Sequence, residues 1–149
     1  MQFIDLAAQR ARISDRIDAA VAKVIREGKY ILGPEVAEFE KKLADYVGVK
    51  HVVACANGTD ALLLPLFAHG IGRGDAVFVP SFTFAATAEI VPWTNATPVF
   101  VDVLPDTYNI DPASLEAAIA GVKKDGKLKP KAVIAVDLFG QPADYPAIA

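Results

Sequence analysis

Residues 51–62 read HVVACANGTDAL, in which an apolar run passes through a short polar turn into a second apolar run. The first run, HVVAC (51–55), predicts a buried strand, and TDALLLPLFAHG (59–70) predicts a helix. Asparagine, glycine and threonine, which fill the turn, are common at helix N-termini. A strand followed by a tight turn and a helix is the unit from which parallel α/β sheets are built.

Two roles fit the polar turn at 57–59. On local chemistry alone, capping of the helix is the more common role of these residue types. The alternative is an anion site, because a helix N-terminus presents unpaired backbone N–H groups and a partial positive charge. Gly58 would let the backbone approach an oxyanion closely, and Thr59 would add a hydroxyl donor. No lysine or arginine is adjacent, so backbone dipoles and hydroxyls would have to hold the anion.

The rest of the chain alternates between helical and strand-like segments. Helices are predicted over 14–28, 33–48, 82–91 and 111–121, and strands over 76–80, 98–103 and 131–140. The strands are apolar throughout rather than alternately polar, which is typical of a sheet covered on both faces. The sequence therefore predicts a three-layer α/β/α fold with a mainly parallel sheet.

Capping and breaking residues set the predicted helix boundaries. Ser14 is the expected N-cap of the first helix, and Gly28 follows its end. Pro92 is expected to stop the helix before it, and Gly121 to end the next one. Pro65, about two turns into the helix that follows the opening turn, is expected to kink that helix and to leave its first turn intact.

Composition excludes several classes of protein. The chain has 149 residues, is 53% apolar and 22% charged, and carries a net charge of −3, which is ordinary for a globular domain with a core. This mildly acidic balance gives no electrostatic footprint for nucleic acid or an anionic membrane. The longest apolar run of the first half, ALLLPLFA (61–68), is far shorter than the ~20 residues of a membrane helix. A single cysteine, Cys55, excludes an internal disulfide and favours the cytoplasm.

Ligands of open parallel sheets bind beyond the carboxyl ends of the strands. Two further loops leave predicted strand ends, over 80–87 and 136–144. Phe82 or Phe84 in the first loop could cover the face of a planar ligand, although an isolated phenylalanine is more often buried in a core. In the second loop, Asp137 and Gln141 are polar groups after an apolar strand, and Asp137 could equally be a cap or turn residue.

Other reactive side chains form no recognisable constellation. His51 and His69 are far apart in sequence and have no clustered metal ligands near them, so no metal site is expected. Cys55 has no evident base beside it, and Ser81 lacks the GxSxG elbow of a serine nucleophile. None of the lysines follows a strand in a way that suggests a covalent nucleophile.

Taken together, the loops and their flanking elements resemble one family. The segments GKYILGPEVAEFEKKLADYVGVKHVVACANGTDALLL (28–64), GIGRGDAVFVPSFTFAATAEIV (70–91), PVFVDVLPDTYNID (98–111) and VDLFGQPAD (136–144) carry the likeness. They closely resemble the DegT/DnrJ/StrS family of fold-type I, pyridoxal-phosphate-dependent aminotransferases, which act on the keto sugars of nucleotide sugars. Within that family, the general pattern is nearest to enzymes that aminate a UDP-linked 3-keto sugar acid.

The resemblance implies a role for five residues. In the family, the Gly-Thr pair of the NGTDAL turn holds the cofactor phosphate, which carries over to Gly58 and Thr59. An aromatic side chain of the SFTF segment stacks on the pyridine ring, which carries over to Phe84. Tyr30 in the GKYILGP segment and Gln141 in the GQPAD loop are implied as substrate contacts.

The resemblance also implies that this chain is part of a larger enzyme. Residues 1–149 would be the N-terminal helices and the front part of the cofactor-binding large domain. The segment QPADYPAIA (141–149) reads as the start of a further helix, which agrees with that expectation. The family's aspartate at the pyridine nitrogen and its cofactor-binding lysine are expected beyond Ala149, so no catalytic residue is assigned in this chain.

The implied activity is ping-pong transamination, with glutamate as the donor and a nucleotide-linked keto sugar as the acceptor. The family's lysine moves the proton between carbon atoms, and a homodimer with shared active sites is implied. One alternative is a related enzyme that uses pyridoxamine phosphate for sugar deoxygenation, with histidine in place of the lysine. A second alternative is a non-catalytic dimerisation or regulatory module.

Overall fold

The computed structural model describes residues 4–149, which form two compact units, one ending at Ala54 and the other spanning Cys55–Ala149. The described part of the first unit contains the helices α1 (Leu6–Ala11), α2 (Ser14–Glu27) and α3 (Pro34–Val47). The second unit contains α4 (Gly58–Ala68), β1 (Asp75–Pro80), α5 (Ala86–Trp93), β2 (Thr97–Val101), α6 (Pro112–Asp125), β3 (Lys129–Val133) and α7 (Tyr145–Ile148). Within residues 4–149, no helix is both long enough and apolar enough to cross a bilayer.

The first unit confirms two predicted helices and adds a short one. Gly28 and Gly48 end α2 and α3 in the left-handed conformation, with φ of 67° and 77°, which glycine adopts without steric cost. The prediction that Ser14 is an N-cap is wrong, because Ser14 is already helical and Ile13 precedes it without a side-chain cap. Between the two helices, Lys23 Nζ lies 2.8 Å from Glu35 Oε1.

The second unit is built on a parallel sheet in the order β2-β1-β3, with β1 in the centre. The β1–β2 ladder runs without interruption from Ala76↔Thr97 to Pro80↔Val101. The β1–β3 ladder shifts register between Ala76 and Val77. The parallel pairing confirms the predicted α/β fold class, in which helices connect successive parallel strands.

Helices cover both faces of this sheet because alternate side chains of β1 point to opposite sides. Ala76, Val77, Phe78 and Val79 are all buried, with exposed fractions of 0–1%. On one face the core consists of Leu66, Ile71, Val77, Val79, Ile90, Val91 and Ala96. On the other face it consists of Ala76, Phe78, Val101, Ile110 and Leu115. The three-layer arrangement is therefore as predicted.

The strand predicted over 51–55 is wrong. These residues have neither helical nor strand structure, and the Val53 side chain is 80% exposed. A strand needs a neighbour for its backbone hydrogen bonds, and the described residues place no strand beside this one. The Ala54 N–H donates instead to Glu40 Oε1 at 2.8 Å.

Other predicted boundaries also differ from those of the structure. The last predicted strand, over 131–140, ends at Val133, after which the Ile134 N–H makes one more ladder-like bond to the Phe78 carbonyl at 2.9 Å. Gly121 does not end α6, which continues to Asp125 and is closed by Gly126 with φ of 70°. A glycine inside a helix costs only about 1 kcal/mol, so it stops a helix only where the backbone turns left-handed.

The helix predicted over 82–91 begins instead at Ala86, and Pro92 lies inside it. Residues 82–85 form the loop that leaves β1. Pro92 sits in the last turn, where the chain closes with tighter bonds from the Thr94 N–H to the Val91 carbonyl and from the Asn95 N–H to the Pro92 carbonyl. A proline so close to the end costs one hydrogen bond and leaves the earlier turns intact.

Candidate cofactor site

Three chain segments surround one open cavity of about 510 Å³ in the second unit. The first segment is the N-terminus of α4, the second is the loop after β1, and the third is the chain that follows β3. Besides Gly58, the polar and aromatic residues of its lining are Thr59, Thr83, Phe84, Thr87, Asp137 and Tyr145. The cavity lies where the carboxyl ends of parallel strands place the ligands of such sheets.

The N-terminus of α4 leaves two backbone donors free. Asn57 is the N-cap, and its side-chain oxygen accepts the Asp60 N–H at 2.9 Å. The Ala61 N–H bonds to the Asn57 carbonyl at 3.1 Å. Among the described residues, the N–H groups of Gly58 and Thr59 have no acceptor. Capping and anion binding are therefore compatible, since the cap uses one donor and leaves two.

Gly58 is not required by the backbone conformation or by crowding. Its φ is not positive, and a Cβ added to it would meet no atom within 4 Å. A side chain at this position would instead occupy open space. Glycine leaves this space open, and the role toward a phosphate that the resemblance implies stays a prediction.

Thr59 is half-buried in the cavity wall, and its hydroxyl makes no hydrogen bond within residues 4–149. A free hydroxyl beside two free N–H groups forms a donor set suited to a phosphate. Beyond this first turn, α4 continues past Pro65 to Ala68, so the predicted survival of the first turn is confirmed.

Phe84 lies in the wall of the same cavity and is 74% exposed. Phe82 is also exposed, and its ring packs against Tyr108 with 5.3 Å between the ring centroids. Neither phenylalanine belongs to the core, so the alternative of two buried rings is wrong. An exposed aromatic face in a cavity wall is available to a planar ring.

The two residues implied as substrate contacts are placed less directly. Gln141 is exposed and does not line the described cavity, although its backbone carbonyl accepts a hydrogen bond from Asn109 Nδ2 at 3.1 Å. Tyr30 belongs to the first unit, where its hydroxyl donates to the Ile25 carbonyl at 3.3 Å. Their roles toward a substrate stay predictions.

Asp137 and Tyr145 form a pair in the cavity wall that was not predicted from the sequence. Asp137 Oδ1 accepts the Ala143 N–H at 2.9 Å and the Tyr145 hydroxyl at 3.1 Å. The hydrogen bond to Asp137 raises the pKa of Tyr145, and desolvation raises it further. The signal for Asp137 was its position directly after an apolar strand, but nothing in the sequence indicated Tyr145 as its partner.

The electrostatics of the cavity come from dipoles rather than cations. No lysine or arginine lines it in the part of the chain that the structure describes. An anion held there would depend on the two N–H groups, the Thr59 hydroxyl and the dipole of α4. Residues 4–149 contain no cluster of three or more histidine, cysteine or acidic side chains suited to a metal ion.

Loss of the Asn57 cap gives a first test of this local structure. Asn57→Ala is expected to lower the free energy of unfolding by about 1 kcal/mol, because the Asp60 N–H loses its acceptor. Urea unfolding followed by circular dichroism measures the change. Asn57→Ser, which keeps a side-chain acceptor, is expected to lose only a few tenths of a kcal/mol. An equal loss in both variants would contradict the capping role.

Comparison with known proteins assigns this arrangement to a family. The model of the DegT/DnrJ/EryC1/StrS aminotransferase family matches residues 11–149. A Pseudomonas aeruginosa relative, UDP-2-acetamido-2-deoxy-3-oxo-D-glucuronate aminotransferase, is 53% identical over 148 residues, which are 99% of this chain and 39% of the relative. The chain therefore spans about two fifths of the length of that relative.

Solved structures give the same assignment. A DegT/DnrJ/EryC1/StrS aminotransferase from Brucella abortus superposes with a TM-score of 0.97 and 68% identity, over 99% of this chain and 40% of that one. NtdA from Bacillus subtilis, solved with bound cofactor PMP, has a TM-score of 0.81 and 33% identity, over 90% of this chain and 29% of that one. The chain belongs to the DegT/DnrJ/EryC1/StrS aminotransferase family.

Proposed function

We propose that the protein is a pyridoxal-phosphate-dependent aminotransferase that transfers an amino group to the keto group of a nucleotide-linked sugar. In this proposal, residues 1–149 supply the N-terminal helices and the front part of the cofactor-binding large domain. The observation that carries the proposal is a single cavity lined by the free donors of Gly58 and Thr59 and by the exposed ring of Phe84. The named aminotransferases among the relatives support it.

The residues of this chain fit the two ends of the cofactor. The N–H groups of Gly58 and Thr59, with the Thr59 hydroxyl, would bind the phosphate at the N-terminus of α4. Phe84 would cover one face of the pyridine ring and exclude water from it. The bound cofactor supplies the electron sink that amine transfer requires, while the protein supplies binding and orientation.

No lysine lines the cavity within the described residues. We propose that covalent attachment and proton transfer belong to a lysine outside residues 1–149, as the family resemblance implies. The aspartate that pairs with the pyridine nitrogen is assigned to the same part of the protein. Asp137 already accepts hydrogen bonds from the Ala143 N–H and from the Tyr145 hydroxyl at the start of α7, which suits it to orient these two groups.

The substrate proposed is a UDP-linked 3-keto sugar acid, with glutamate as the amino donor. The name of the Pseudomonas aeruginosa relative, at 53% identity, supports a UDP-linked 3-oxo glucuronate or a similar sugar. A homodimer with shared active sites in the cytoplasm completes the proposal. A pyridoxamine-phosphate-dependent dehydratase and a non-catalytic dimerisation module remain the alternatives that an experiment must separate.

Borohydride trapping tests the proposal on the protein expressed from its complete reading frame. After incubation with pyridoxal phosphate and reduction, the intact mass and a peptide map are expected to show one covalent adduct on a lysine outside residues 1–149. Cofactor that binds without attachment would instead favour the dehydratase. Failure to bind pyridoxal phosphate would contradict both enzymes and leave α4 as a capped helix only.

A further inference from the structure

The β2–α6 loop, residues 102–111, contacts two walls of the cofactor cavity without lining it. The Tyr108 ring lies 5.3 Å from that of Phe82, two residues before Phe84, and 5.6 Å from that of Phe139, one residue after Leu138. Phe84 and Leu138 both belong to the cavity lining. One aromatic side chain therefore packs against both the loop after β1 and the chain after β3.

Asn109 ties the β2–α6 loop to the second of these walls. Its side chain is buried, and Nδ2 donates to the carbonyls of Gln141 and Pro142, both at 3.1 Å. These carbonyls lie between Asp137 and Tyr145, which are hydrogen-bonded to each other and line the cavity. The Asn109 amide thus holds the stretch of backbone that connects the wall residues Asp137 and Tyr145.

The β2–α6 loop is itself held in one conformation. The Leu104 N–H donates to the Asn109 carbonyl and the Tyr108 N–H donates to the Leu104 carbonyl, both at 2.9 Å. Tyr108 has φ of 60°, in the left-handed region that is unfavourable for a residue with a bulky side chain. Such a backbone persists only where surrounding contacts determine it, and here the two ring contacts and the Asn109 amide do so.

The buried side chain of Asn109 carries a cost in folding free energy. Its Oδ1 is buried and has no hydrogen-bond partner within the described residues, which is unfavourable for a polar atom. A small apolar residue would avoid that cost but would lose the two donors to Gln141 and Pro142. The benefit of asparagine at this position therefore lies in the link that it makes to the 137–145 segment.

We propose that Tyr108 and Asn109 are positioning residues that set the separation of the two cavity walls and so tune cofactor binding. This inference rests on the proposed function, because the ligand for which the walls are set is pyridoxal phosphate. Tyr108 and Asn109 do not line the cavity and act only through the loops after β1 and β3.

Hydrogen exchange and cofactor titration of the complete protein test this role. Asn109→Ala is expected to lower the exchange protection of the Gly140 and Ala143 amides about tenfold, because the segment loses two anchoring bonds. The dissociation constant of pyridoxal phosphate is expected to rise about five- to tenfold. Tyr108→Ala is expected to raise it similarly, and Tyr108→Phe, which keeps the ring, to restore it to within twofold.

Ser114→Ala is the matched control. Ser114 Oγ accepts the Asp102 N–H at 3.1 Å, so this change weakens the β2–α6 loop without touching either wall. It is expected to lower thermal stability as Asn109→Ala does, but to leave the dissociation constant within twofold. Equal effects of the two variants on cofactor binding, or no effect of Asn109→Ala on it, would overturn the positioning role.

A measurement on the wild type keeps the proposal testable if Asn109→Ala does not fold. Binding of pyridoxal phosphate is expected to slow hydrogen exchange at the Leu104 and Tyr108 amides, although neither residue lines the cavity. Binding without any change at these amides would overturn the coupling while leaving the proposed function standing. A wild type that does not bind pyridoxal phosphate would instead overturn the proposed function first, and this inference with it.

Discussion

Replacement of Phe78 by alanine is expected to lower the free energy of unfolding by about 3–5 kcal/mol. Phe78 lies on the central strand β1 and is only 1% exposed. It packs in the core cluster that includes Val101, Ile110 and Leu115, so truncation leaves a cavity bounded by β2, the β2–α6 loop and α6. Neighbours on three sides are held by backbone hydrogen bonds, and little collapse into the cavity is expected.

Urea unfolding of the protein from its complete reading frame measures this effect as a shift of the transition midpoint. Phe100→Ala makes the same chemical change on the adjacent strand, where the side chain is 60% exposed, and it is expected to cost less than about 1 kcal/mol. A loss below about 1 kcal/mol for Phe78→Ala would show that the sheet is not packed as described.

Replacement of Thr59 by valine is expected to raise the dissociation constant of pyridoxal phosphate about 10- to 100-fold. The two side chains have nearly the same shape and similar helix propensities, so the variant removes little beyond the hydroxyl. That hydroxyl makes no hydrogen bond within the described residues, so folding does not depend on it. A hydrogen bond to a charged group contributes about 1.5–3 kcal/mol, which corresponds to the expected loss of affinity.

Titration of the cofactor by absorbance measures this constant, and a thermal melt without cofactor measures folding. Thr97→Val is the control, because Thr97 is exposed at the start of β2 and lies outside the cavity. Its cofactor affinity is expected to match that of the wild type. Unchanged affinity in Thr59→Val would refute the phosphate role. A weaker affinity accompanied by a clearly lower melting temperature without cofactor would also refute it, because the loss would then come from folding.

Most of the fold could be predicted because its signals are local. Apolar runs indicated the strands β1 and β2, and capping glycines helped to indicate the helices α2 and α3. The parallel arrangement of the strands follows from strand–helix alternation. The prediction of a strand over 51–55 was wrong because a strand depends on a neighbouring strand, which the pattern within one segment does not reveal. The predictions that Gly121 and Pro92 stop their helices were wrong for a related reason. A single residue ends a helix only where the surrounding backbone also leaves the helical conformation.

The candidate site also contains residues that the sequence indicated and residues that it did not. The residues alone left capping or anion binding open for Gly58 and Thr59, and the family resemblance selected Phe84 over Phe82. The fold brings Gly58, Thr59 and Phe84 to one cavity, while their roles toward the cofactor stay predictions. No pattern in the sequence indicated Tyr145 or Asn109 as part of the site. Each makes a tertiary hydrogen bond, Tyr145 to Asp137 and Asn109 to Gln141. Such pairings require the positions of both loops, which no single stretch of residues contains.

The central position of β1 also has a consequence for biosynthesis. Its ladder with β2 closes a shorter stretch of chain than its ladder with β3, so the β1–β2 pair is favoured to form first. Until β3 leaves the ribosome, one side of β1 presents unpaired backbone groups and some of the most apolar side chains of the chain. An open apolar strand edge is a template for aggregation. Slow translation between β2 and β3 should therefore reduce the yield of folded protein, and chaperones should matter most in that interval.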